Sequence, residues 1–297
     1  QAGVGLLIPG VRIPGSPIFV PFWYGIISIA VLAIVHEFAH GIVAAMENVR
    51  LKSTGFGFLL ILPLAFVELD EKQMAKRSRL TRLRISASGA FANIMFWLVI
   101  GTLASLTLIP LANGILVDSG VSIAGLEAGL PAETAGIMQG DIVTAVNNQT
   151  VVNIEDFAAA MSAVNPGDTV LIQTKDDVHF VTTVENPQNA SRAHLGVLIE
   201  PNVVIEEGVK AQFGVLADAF LWLVGLVRWM VILNFLVGVM NFLPIWALDG
   251  GRVAYDLLGY FIKDQKLLMI ALNLLFAFFV GLIVLNLIGP FLVGALA

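Results

Sequence analysis

Four long stretches carry almost no charge: residues 15–35, which run into His36, then 85–111, 219–248 (interrupted only by Arg228) and 267–297. Each exceeds the roughly 20 apolar residues that cross a bilayer core as a helix. Backbone groups in lipid must be paired within the segment, so the pattern predicts four transmembrane helices. Residues 15–35 do not read as a signal peptide, because they are too long and lack a basic leader and a small-residue cleavage site. Residues 55–67 (GFGFLLILPLAFV) are apolar but too short to span. Gly55, Gly57 and Pro63 break a helix there, so a short β-hairpin or re-entrant segment at the membrane face is expected. Residues 249–262 start polar and continue apolar, as an interfacial helix does.

Between the second and third spans lies a region of different character, residues 114–201. Short alternating runs at 121–123, 142–146, 169–174 and 180–184 predict strands. Residues 132–135 and 154–164 predict helices, and Gly140-Asp141 and Pro166-Gly167-Asp168 mark turns. The chain therefore divides into a first membrane half (1–113), an inserted β/α domain (114–201) and a second membrane half (202–297).

Composition agrees. Hydrophobic residues make up 58% and charged residues 13%, against roughly 45–50% and 25% in soluble domains. A surface facing water on all sides has too few polar side chains here. With 16 basic against 22 acidic residues, nucleic acid is excluded as a partner. The absence of Cys removes disulfides, thiolate metal sites and a cysteine nucleophile. Basic residues then orient the chain. Arg50, Lys52, Lys72, Lys76, Arg77, Arg79, Arg82 and Arg84 cluster in residues 47–84, which places that loop in the cytoplasm. Residues 114–210 hold three basic residues against 13 acidic ones and belong outside.

Candidate chemistry sits at the end of the first span. His36-Glu37-Phe38-Ala39-His40 is H-E-x-x-H, and on a helix its two imidazoles share one face and reach one cation. Ionisable residues at membrane depth are costly and mark function. A third ligand is needed. His179 and His194 lie in the insert and read as ordinary surface or strand residues. The acids Asp218, Asp249 and Asp256 remain. Asp249 follows Asn241-Phe242-Leu243-Pro244 and precedes Gly250-Gly251, where a broken helix turns a carboxylate inward; the alternative is a plain helix cap.

His36–His40, Gly89-Ala90-Phe91-Ala92-Asn93, and Asn241-Phe242-Leu243-Pro244 with Leu248-Asp249-Gly250-Gly251 together resemble the three motifs of the site-2 protease family of intramembrane zinc metalloproteases. Ala90 departs from the proline often found there. The insert resembles the PDZ domain of prokaryotic members, on the strength of Asp118-Ser119-Gly120-Val121-Ser122-Ile123 and the stretch from Gly129-Leu130-Pro131 to Gly140-Asp141-Ile142-Val143. The resemblance implies one zinc ion held by His36, His40 and Asp249, and Glu37 as general base on the zinc-bound water. It implies regulated proteolysis within transmembrane segments of substrate proteins, in the cell membrane, with the active site toward the cytoplasm. The insert would then be extracytoplasmic and would filter access or take a peptide or protein ligand. Asn93 and Asn241 are the best-placed polar groups for substrate backbone or the oxyanion. Two other classes compete. A membrane metal transporter needs polar groups right across the bilayer, whereas these cluster near one face. A catalytically dead scaffold does not need intact His36, Glu37, His40 and Asp249.

Overall fold

The computed structural model describes residues 8–11, 19–60 and 62–296. Residues 15–18 of the first predicted span lie outside them. Two compact units are present, one built from residues 1–110 and 220–297, the other from 111–219.

The first unit opens with helix α1 (Phe22–Met46). A hairpin follows, β1 (Leu51–Leu59) antiparallel to β2 (Leu62–Leu69), pairing Thr54 with Val67 and Phe58 with Pro63. The short helix α2 (Glu71–Lys76) is capped by Asp70, whose side chain accepts from the Lys72 and Gln73 N–H groups. The Gln73 and Lys72 N–H groups together outweigh partial desolvation and hold the Asp70 carboxyl below its usual range. Helix α3 (Arg79–Leu106) starts from Ser78, which accepts from Thr81 N–H, and is followed by α4 (Leu108–Ile115).

In the second unit, β3 (Leu116–Leu126), α5 (Pro131–Thr134), β4 (Ile142–Val146), β5 (Gln149–Thr150), α6 (Ile154–Ser162), β6 (Thr169–Thr174), β7 (Val178–Thr182), β8 (Val184–Asn186), β9 (Asn189–His194) and β10 (Val197–Ile205) follow in order. The main sheet runs β10-β3-β4-β6-β7, with β5 on β4, and β8 pairs β9. Val121, Ile123, Val143, Val146, Val170, Ile172 and Val181 form its core with Phe157 of α6. The predicted boundary at 201 falls inside β10, whose pairing with β3 continues to Ile205–Leu116. The helix α7 (Glu207–Phe213) closes this region.

The chain then forms α8 (Val215–Asn241), α9 (Asp249–Phe261) and α10 (Gln265–Leu296). Four helices among the described residues are long and apolar enough to cross a membrane: 22–46, 79–115, 215–241 and 265–286. The architecture is that of a polytopic helical membrane protein with a membrane-associated hairpin and an inserted β/α domain. Two limits differ from the hydropathy pattern. The α1 helix continues ten residues past His36, because helical bonds persist through polar positions. The α8 helix stops at Asn241, short of residue 248, just ahead of Pro244, which has no N–H to donate.

Candidate metal centre

The site is built on α1. His36 and His40 are one turn apart on a continuous helix, so their rings are held 4.8 Å apart, edge to face. Their Nε2 atoms are 3.2 Å apart. Asp249, the first residue of α9, brings Oδ2 to 3.0 Å from each. It is not the helix cap: that position is Leu248, which makes no side-chain cap bond.

The geometry tests whether a zinc ion fits. Zinc bonds of about 2.0–2.2 Å set tetrahedral ligands roughly 3.3–3.5 Å apart. The three atoms at 3.0–3.2 Å need only a few tenths of an ångström of outward relaxation. Of the described residues, these are the group of His, Asp and Glu side chains that converges closely enough to hold a metal. Room is provided by Gly89 of α3: a Cβ there would collide with the Nε2 atoms of both His36 and His40.

The imidazoles are oriented from behind. The Ile85 carbonyl lies 2.7 Å from His40 Nδ1, and Ser88 Oγ lies 3.3 Å from the same nitrogen. With its proton on Nδ1, His40 donates to Ile85 and keeps the Nε2 lone pair for a cation. Asn93 is fully buried, with its amide 3.2 Å from His36 Nδ1, and its Oδ1 is buried with no hydrogen-bond partner among the described residues. Turning that amide by 180° lets Oδ1 accept the His36 Nδ1 proton. This places the Asn93 side chain behind the His36 ring, on the side away from Nε2. Asn241 ends α8, half-buried, and is not among the residues lining the site cavity.

That cavity, about 360 Å3, is polar and is lined by His36, Glu37, His40, Asp249, Ser86 and Arg252 among others. A second cavity of about 460 Å3 lies between α1 and the hairpin and is lined by Phe38, Ile42, Leu51, Phe56 and Phe66. Glu37 borders both. Its Oε2 accepts the Val67 N–H of β2 at 2.9 Å.

The other acids considered as ligands are engaged elsewhere. Asp256 pairs with Arg82, and Asp218 lies 3.9 Å from Lys210. His179 Nδ1 contacts the Ala135 carbonyl, and His194 faces Glu127. The sequence reading passed over Gly89 as a spacer, the Ile85 carbonyl, Ser88 and the Val67 N–H. The spacing 82, 85, 89, 93 was the available signal, since it lies along one face of α3.

Helices that cross a membrane, with two imidazoles and a carboxylate converging beside a glutamate, define a membrane protein built for metal-dependent hydrolysis. The comparisons give the family. Residues 24–283 match the model of Peptidase family M50, so the chain belongs to that family, the site-2 proteases, whose members are membrane zinc metallopeptidases. An uncharacterized protein of Methanocaldococcus jannaschii is 28% identical over 250 residues, covering 83% of this chain and 60% of the relative; the chain thus spans less than two thirds of that protein. A Clostridium perfringens protein provisionally named a zinc metalloprotease is 21% identical, covering 82% of this chain and 89% of its own length. A protein of the same provisional name from Clostridium acetobutylicum is 22% identical, covering 77% and 84%. In the solved structures, the PDZ domain of an SdrC-like protein of Listeria innocua is 24% identical and covers 28% of this chain and 94% of that domain, with a TM-score of 0.25.

Proposed function

We propose that this chain hydrolyses peptide bonds within transmembrane segments of other proteins, with zinc held by His36, His40 and Asp249 and with Glu37 as general base. The observation that carries this reading is the position of Glu37. It follows the first imidazole of the triad on α1 and stands where a polar cavity meets an apolar one. An apolar segment is accommodated on one side, and water and the reacting groups on the other.

When bound, zinc would supply a Lewis acid that lowers the pKa of water toward about 7. Glu37 takes the proton from the attacking water and passes it to the leaving amine. The Val67 N–H fixes one carboxylate oxygen of Glu37, so its direction is set before substrate arrives. Ile85, Ser88 and Asn93 hold the two imidazole rings. Asn241, at the end of α8, is proposed to contact substrate backbone.

An intact helix hides its amides, so the scissile stretch must be extended, and β2 offers a partner strand. Alternate residues of a paired strand turn their N–H and C=O groups outward. Val67 N–H is turned to Glu37 and not to β1. Ala65 shares its parity, and so does Pro63, whose missing N–H suits an outward position. The outer edge of β2 beside α1 is therefore the proposed site of strand addition. The basic loops support a site open to the cytoplasm and an extracytoplasmic PDZ-like domain that screens substrates or takes a peptide ligand.

The test is purified protein in detergent with a membrane-span substrate. Glu37→Gln is expected to lower cleavage by roughly 10²–10⁴-fold while zinc content stays at one per chain. Zinc flux in liposomes without any cleavage would overturn the protease reading in favour of transport.

A further inference from the structure

We propose that the ion pair between Arg82 of α3 and the buried Asp256 of α9 positions Asp249 on the imidazole pair. The proposal rests on the reading of His36, His40 and Asp249 as the zinc ligands. Those ligands reach one point by unequal means. The two His share a helix, and helix geometry alone sets their spacing. Asp249 opens α9 after the non-helical residues 242–248, and its N-cap Leu248 contributes no side-chain bond. Its distance from α1 is set by what α9 packs against.

What locates α9 is α3. Arg82 Nε donates to both carboxylate oxygens of Asp256 at 3.0 Å, a second guanidinium nitrogen also donates to Oδ1, and a third donates to the Arg77 carbonyl at 3.0 Å. Asp256 is 3% exposed and Arg82 half-buried, so the carboxylate is removed from water and the pair is directional. Asp256 follows Asp249 by seven residues, two turns on the same face of α9 and about 10 Å along its axis. Close approach is built into the rest of that helix. A Cβ on Gly259 would occupy the guanidinium of Arg79, one on Gly250 would strike the Leu243 carbonyl, and one on Gly251 the Ile245 carbonyl.

The same face of α3 refers the imidazoles to the same frame. Three residues after Arg82, the Ile85 carbonyl meets His40 Nδ1; Gly89 clears space at both Nε2 atoms; Asn93 meets His36 Nδ1. One helix therefore registers both sources of ligands, and Arg82 is its contact with the Asp249 side. Arg82 and Asp256 are positioning residues and touch no ligand themselves.

The test measures metal binding by the full chain in detergent, using zinc competition against a chromophoric chelator and the visible absorption of the cobalt-loaded protein. Asp256→Asn is expected to weaken zinc binding by about 10–100-fold and to alter the cobalt bands, with Asp256→Glu recovering most of both. Combined with Asp249→Asn it should cause little further loss, because the ligand it serves is already gone. Zinc affinity within twofold of wild type in Asp256→Asn, or a full additional loss on top of Asp249→Asn, overturns the proposal. Where Asp256→Asn does not fold, the paired apolar replacement Arg82→Met with Asp256→Leu removes the charges without orphaning either one. It should show the same weakening, and wild-type affinity there also overturns the proposal. Undiminished zinc binding by Asp249→Asn alone instead refutes the ligand set on which the proposal stands.

Discussion

The two compact units differ in how much polar side chain they bury beside their apolar residues. In the 111–219 unit the interior is branched aliphatic: Val121, Ile123, Val143, Val146, Val170, Ile172 and Val181 are essentially inaccessible. In the unit that holds the spans, the deeply buried set includes Ser28, Ser86, Asn93, Asn234 and Asp256, while Phe58, Leu106, Leu274 and Phe278 face outward. Water drives the first arrangement, since burying apolar area there is favourable. Lipid tails remove that drive in the second, where close packing of small residues and polar contacts between helices takes over. Stability of the insert is therefore spread over many aliphatic contacts, whereas several buried polar residues of the membrane body, Ser86 and Asn93 among them, lie on the helix that faces the triad.

That contrast can be broken most sharply at Gly89. Replacement by Leu should abolish zinc binding, because the new side chain must occupy the space of both Nε2 atoms; metal analysis of the purified variant checks it, and a full zinc complement would show that α3 does not back the site. In the insert, Ile172→Ala should destabilise by about 2–5 kcal/mol and leave zinc affinity unchanged. A denaturation transition followed by near-ultraviolet circular dichroism reads the first, and chelator competition the second. Asn93→Ala should weaken zinc binding by about 10–100-fold with little change in melting behaviour, the reverse of the Ile172 result. The smallest effect belongs to Asn153, which forms a reciprocal capping box with Asp156 at the start of α6. Its replacement by Ala should cost about 1 kcal/mol, seen as a lower unfolding midpoint with cleavage intact.

Much of the architecture was legible along the chain because hydropathy and helix geometry are local properties. Long charge-free stretches specify spans, Pro244 ends α8, and H-E-x-x-H puts two imidazoles on one face whatever surrounds them. The turn signals Gly140-Asp141 and Pro166-Gly167-Asp168 fell just before β4 and β6. Local rules also gave Asp249 two equally good roles, cap or ligand, since either suits a carboxylate at a helix start.

Only the tertiary structure brings Oδ2 across more than 200 positions of sequence to within 3.0 Å of each imidazole, the arrangement the ligand role requires. It likewise turned Asn93 to the back of His36, left Gly89 as the gap beside the triad, and set Glu37 against Val67 where two cavities meet. The physical reason is range. Helix periodicity and hydropathy act over a few residues, whereas a coordination centre requires atoms from separate helices to agree within a few tenths of an ångström, and only their mutual packing sets that.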